Sequence, residues 1–134
     1  MILSRLKNTD GNAAVEFGLV LPLLLIILLG IIDWGHVHFT RMTMTNAARE
    51  GARAGVVDAA DPEGTGIAAA QTYLQGTIPN ATVNADSGPD DDDDVIRINV
   101  ELDFQPLIGF VPTPSHLRAS AAMRWEMAEI TQSP

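Results

Sequence analysis

Residues 13–32 read Ala13-Ala14-Val15-Glu16-Phe17-Gly18-Leu19-Val20-Leu21-Pro22-Leu23-Leu24-Leu25-Ile26-Ile27-Leu28-Leu29-Gly30-Ile31-Ile32. From Phe17 to Ile32 the run carries no charge. A helix rises about 1.5 Å per residue, so a segment of this length reaches across the roughly 30 Å hydrocarbon layer of a bilayer. Arg5 and Lys7 precede it, and the next basic residue is Arg41. The positive-inside tendency therefore places the N-terminus in the cytoplasm and the rest outside. Trp34, just past the run, suits an interfacial anchor. A removable signal peptide is the alternative. Its apolar region is shorter, about 7–15 residues, and a small-x-small cleavage site follows it. Here Asp33-Trp34-Gly35-His36-Val37-His38-Phe39 follows and offers no such site.

The rest of the chain is different in character. Its 134 residues leave room for one small exported domain, and there is no cysteine for a disulfide framework or thiolate metal site. Arg5 and Lys7 balance Asp10 and Glu16, so the formal charge of −9 belongs to residues 33–134. An acidic surface of that kind repels nucleic acid, and no basic patch reverses it.

Beyond Asp33 the helix is expected to continue. Residues 43–56 lack proline, and Ala47, Ala48, Gly51, Ala52 and Gly55 fall at spacings of three and four. Such a stripe admits close packing, either of another element of the same chain or of a neighbouring subunit's helix. Pro22 removes one helical hydrogen bond and predicts a mild kink. Asp61-Pro62-Glu63-Gly64 breaks the helix, and Asp61 or Thr65 can cap a second one running to about Gln75. That helix is expected to turn Ile67, Ala70, Tyr73 and Leu74 inward. Ile96, Ile98, Val100, Leu102 and Phe104 alternate with polar residues, as do Leu117, Ala119, Ala121, Met123 and Trp125. Both patterns predict half-buried strands, with a weaker one near 81–85. The expected fold is α+β: a long N-terminal transmembrane helix continuing into a membrane-proximal helix, a short second helix, and a three-stranded antiparallel sheet.

Chemistry-bearing motifs are sparse. His36, His38 and His116 lack a metal-binding context, no glycine-rich phosphate loop follows a strand, and no nucleophile–base–acid constellation stands out. No catalytic residue or cofactor is expected. Asp90, Asp91, Asp92, Asp93 and Asp94 follow Ser87-Gly88-Pro89 between two strands. They read as a solvated hairpin loop or as a weak calcium site, although calcium loops alternate ligands with spacers.

Glu16 is the costly residue, since a carboxylate within an apolar helix is expensive away from the headgroups. It can snorkel to the cytoplasmic edge. Alternatively, a cut after Gly11 would give Asn12 a new α-amino group four residues away on the same helical face, and the two charges would neutralise each other within one chain or between neighbours.

Gly11-Asn12-Ala13-Ala14-Val15-Glu16-Phe17 resembles the processing site of type IV pilin-like proteins. Together with Leu21-Pro22-Leu23-Leu24, Gly30-Ile31-Ile32-Asp33-Trp34-Gly35 and Thr45-Asn46-Ala47-Ala48-Arg49-Glu50-Gly51-Ala52-Arg53, it resembles the TadE-like family of minor pseudopilins of tight-adherence pili. The resemblance covers residues 11–55. It implies a protein of the bacterial inner membrane with a periplasmic head, trimmed after Gly11 by a prepilin peptidase that reads Gly11, Asn12, Glu16 and Phe17. It also implies assembly with other pilin subunits and platform proteins, into or beneath an extracellular pilus. Residues 1–11 would then be the leader, 12–33 the membrane helix, 34–56 its proximal extension and 57–134 the head. The alternative is an anchored extracytoplasmic binding module outside any filament.

Overall fold

The computed structural model describes residues 9–86 and 95–124. One helix, α1 (Thr9–Val57), carries the apolar run and the small-residue stripe without interruption and passes through Pro22. Its 49 residues extend about 73 Å at 1.5 Å each. A short turn leads to α2 (Pro62–Gln75), and three strands follow: β1 (Thr82–Asp86), β2 (Val95–Asp103) and β3 (His116–Arg124). The strands form an antiparallel meander in the order β1-β2-β3, with Ile98 opposite both Ala85 and Ala121. This is the expected α+β arrangement, a sheet laid over a helix pair.

The small-residue stripe is where the two layers meet. Ala47, Ala48, Gly51, Ala52 and Gly55 are all buried. They face α2 and the sheet of the same chain. A Cβ on Gly51 would lie 2.6 Å from the carbonyl oxygen of Gly66 and 2.9 Å from Cβ of Ala70. Ile98 on the central strand closes the junction, its Cγ1 3.4 Å from that same position. Around it, Met44, Leu74, Ile96, Val100 and Leu117 complete a core of residues at or near zero exposure.

Local chemistry sets the ends of α2. Oδ1 of Asp61 accepts from the Gly64 amide at 3.0 Å, so Asp61 is the N-cap, and Gly76 closes the other end. Thr65, the other candidate cap, donates its hydroxyl to Oδ2 of Asp58 at 2.8 Å. That bond ties the interhelical turn to α2, and within the turn Asp58 Oδ1 accepts from Ala60 N at 3.0 Å. The buried face of α2 is Gly66, Ala70 and Leu74. Tyr73 was expected inward but is 47% exposed. The closest contact with α1 is made by Gly66 and Ala70, and Tyr73 lies outside it, half exposed.

Two tests follow from this packing. In Gly55→Ala the new Cβ meets Ile96 Cδ1 and, 2.6 Å away, the Pro62 carbonyl oxygen. The gain in helix propensity of about 1 kcal/mol is opposed by overpacking of about 1–3 kcal/mol against backbone that has little room to move. Thermal unfolding of the full chain in detergent should show a lowered Tm. Gly35→Ala meets nothing within 4 Å, so it should leave Tm unchanged or raise it. The second test is acid sensitivity. The Thr65 hydroxyl, followed by the Ala60 and Asp61 amides, lowers the Asp58 pKa below its ordinary value. The native state then binds fewer protons than the unfolded one, so Asp58 stabilises the fold above about pH 3.9 and loses this contribution as pH falls through its depressed folded value. Asp58→Ala should flatten the Tm–pH curve in that window, whereas an unchanged slope would assign the acid sensitivity to other groups.

Candidate functional site

Two carboxylates bracket the apolar run, and the structure treats them differently. At its start, residues 11–17 are helical and exposed. Asn12 Nδ2 donates to Glu16 Oε1 at 3.1 Å across one turn, so these positions do share a face. Gly11 has open space where a Cβ would go. Among the described residues nothing calls for glycine there, although glycine costs a helix about 1 kcal/mol relative to alanine. Phe17 is 64% exposed.

At the other end, Asp33 is fully buried. Its oxygens accept two successive backbone amides from the β2–β3 connection: Ile108 N to Oδ1 at 3.0 Å and Gly109 N to Oδ2 at 3.1 Å. Gly109 supplies the required turn with φ at +72°, a conformation costly for residues with a Cβ. Pro106 and Pro112 flank the turn and restrict the backbone on both sides. At the base of the connection Phe104 N donates to Ser115 O at 2.9 Å, and the Phe104 ring lies 5.2 Å from that of His36. Nearer the middle of the apolar run, Val111 Cγ2 is 3.1 Å from the position a Cβ would take on Gly30. The connection therefore grips α1 at Gly30, Asp33 and His36, one face at spacings of three.

Composition and periodicity did not reveal this clasp. A usable signal was present in two places: a single acid closing an apolar run, and a charge-free apolar segment, 104–115, with a glycine between prolines.

The solvent face of the sheet holds a polar cluster. His116 Nδ1 lies 2.7 Å from Asp103 Oδ1, and Arg118 Nε is 3.1 Å from Glu101 Oε1. Such exposed pairs contribute little, about 0–1 kcal/mol. Among the described residues no group of three or more His, Asp or Glu is arranged to hold a metal ion. His36 and His116 sit on different elements, and His38 is exposed on α1. Asp90–Asp94, the sequence-level calcium candidate, lies outside the described residues.

The fold thus defines a class: an α+β head riding on one apolar N-terminal helix, whose uncovered first half fits a single-pass membrane anchor. The comparison with protein families is consistent in detail. Residues 11–53 match the family model described as TadE-like protein, a segment that opens at Gly11 and takes in the apolar run, Asp33 and most of the small-residue stripe. That family points to association with Tad pili. No curated protein and no solved structure matches the chain.

The clasp generates a local test. Asp33→Asn leaves an oxygen for one amide and presents an NH₂ group to the other. A hydrogen bond to a charged group contributes about 1.5–3 kcal/mol, so amide exchange at Ile108 or Gly109 should accelerate roughly ten- to hundredfold. The Ala70 and Leu74 amides in α2 should exchange as before. Unchanged exchange at both loop amides would show that the connection holds its shape without Asp33.

Proposed function

We propose that the chain is a minor pseudopilin of a tight-adherence pilus, a structural or assembly-priming subunit rather than an enzyme. It sits in a bacterial inner membrane with Arg5 and Lys7 in the cytoplasm and its head in the periplasm. Prepilin peptidase removes residues 1–11, and the mature subunit then joins other pilin subunits and the assembly platform through its apolar helix. The observation that carries this reading is the TadE-like match over residues 11–53, which begins at the proposed cleavage glycine.

Physical features of the helix support it. From residue 11 to residue 28 every position is exposed, so the head covers none of the apolar run before Leu29. Lipid or neighbouring helices must supply that cover. The glycine at position 11, unexplained by packing, suits a reader outside the fold. The reach of the Asn12 amide to Glu16 supports pairing of a mature α-amino group with the same carboxylate. That pairing would lower the cost of taking both charges out of water.

Two measurements test the proposal. Co-expression with the cognate peptidase should shorten the intact mass by residues 1–11, and Gly11→Asp should block the loss without preventing membrane insertion. Survival of the full chain with active peptidase removes the processing step. Glu16→Ala should leave membrane levels and protease resistance of the head unchanged, since the helix becomes more apolar. Less of the protein should then co-purify with pilus components. Normal co-purification would leave Glu16 as a headgroup-level carboxylate and favour an anchored module outside the filament.

A further inference from the structure

The β2–β3 connection carries an apolar surface that the head does not cover. Leu107 is 66% exposed, Ile108 43% and Phe110 61%. Residues 104–115 contain no Asp, Glu, Lys or Arg, in a head that otherwise holds all the excess negative charge. The connection also reaches the apolar run itself. Val111 packs on Gly30, two residues inside the end of that run, and the Asp33 clasp holds the turn at the same level. Ile31 and Trp34 at this level of α1 are themselves exposed, at 64% and 46%.

Irregular backbone near hydrocarbon must have its polar groups satisfied within the protein. Here Pro106 and Pro112 have no N–H to satisfy, and the Ile108 and Gly109 amides are taken by Asp33.

From the clasp, the exposed side chains and their level on α1, we propose that Leu107, Ile108 and Phe110 insert into the interfacial zone of the leaflet where α1 leaves the bilayer. The partner is a lipid surface, and the head is thereby attached to the membrane at a second point beside its helix. This rests on the reading of α1 as a membrane anchor, and continuity with that apolar surface is what selects lipid over another protein. Attraction to anionic headgroups contributes nothing, because the connection is uncharged.

The chain has no cysteine, so single substitutions Leu107→Cys, Phe110→Cys, Ile31→Cys and Ser120→Cys each give one labelling site. The full chain is reconstituted in phosphatidylethanolamine–phosphatidylglycerol vesicles and labelled with an environment-sensitive fluorophore. Nitroxide-bearing lipid is then added. The expected result is a blue-shifted emission with strong quenching at 107, 110 and 31, and neither effect at 120, which lies on the solvent face of β3. Adding Asp33→Ala should reduce quenching at 107 and 110 while leaving that at 31 intact. Quenching at 31 without quenching at 107 and 110 overturns the loop proposal and leaves the anchor standing. Loss at all three overturns both. A blue shift at 107 and 110 without lipid quenching, accompanied by cross-linking between copies through those cysteines, assigns the patch to a second copy and also overturns the proposal.

Discussion

The architecture depends on how closely two helices approach each other. Gly51 on α1 and Gly66 on α2 come within backbone contact: a Cβ on Gly51 would lie 2.6 Å from the Gly66 carbonyl oxygen, too close to be accommodated, and one on Gly66 would lie 3.0 Å from that of Gly51. Ile98 seats over this junction and Ile96 beside it, so the central strand registers on the helix pair through two branched side chains. Neighbouring pairs then place β1 and β3 on either side. A larger residue at either glycine would push the helices apart and unseat both isoleucines together. For a small head without disulfides, this one tight contact converts modest apolar area into a defined packing arrangement.

The second fixed point lies at the opposite end of the head. Between Gly55 and Gly30 the buried face of α1 continues through Ala52, Ala48, Ala47, Met44, Thr40, Val37 and Asp33. The head is therefore held along a stretch of about 38 Å at 1.5 Å per residue. Contact at one end alone would leave it free to pivot about the helix. Contact at both ends makes helix and head turn as one body, so the direction of α1 sets the direction in which the sheet faces.

Much of this was legible from residue order. The apolar run, the break at Asp61-Pro62 and the alternation from Ile96 to Phe104 each obey one local period, and each became the expected element. The stripe at Ala47–Gly55 was legible as a close contact, but spacing cannot say whose atoms fill it, and the structure supplies α2 and β2. Tyr73 was misplaced because periodicity marks a face without marking its width. Here the width is set by the approach of Gly66 to Gly51. The Asp33 clasp was hidden for another reason. It joins residues 75 and 76 positions apart through backbone amides, which every residue but proline carries and which leave no mark in side-chain pattern.

The two carboxylates flanking the apolar run show how structure and role divide along one helix. Asp33 is buried and accepts two amides, so its cost of burial is offset within the chain itself. Substituting it changes the fold locally. Glu16 is exposed on an uncovered stretch and bonded within the chain to a neutral amide. Its position does nothing for the described head, whose contact with α1 is first seen at Gly30. A carboxylate next to hydrocarbon is costly unless a cation or water meets it. Among the described residues the fold brings no cation to Glu16, and the described head takes no part in offsetting that cost. Of these two carboxylates, the one before the apolar run is left uncovered by the described head, and the one after it is committed to architecture.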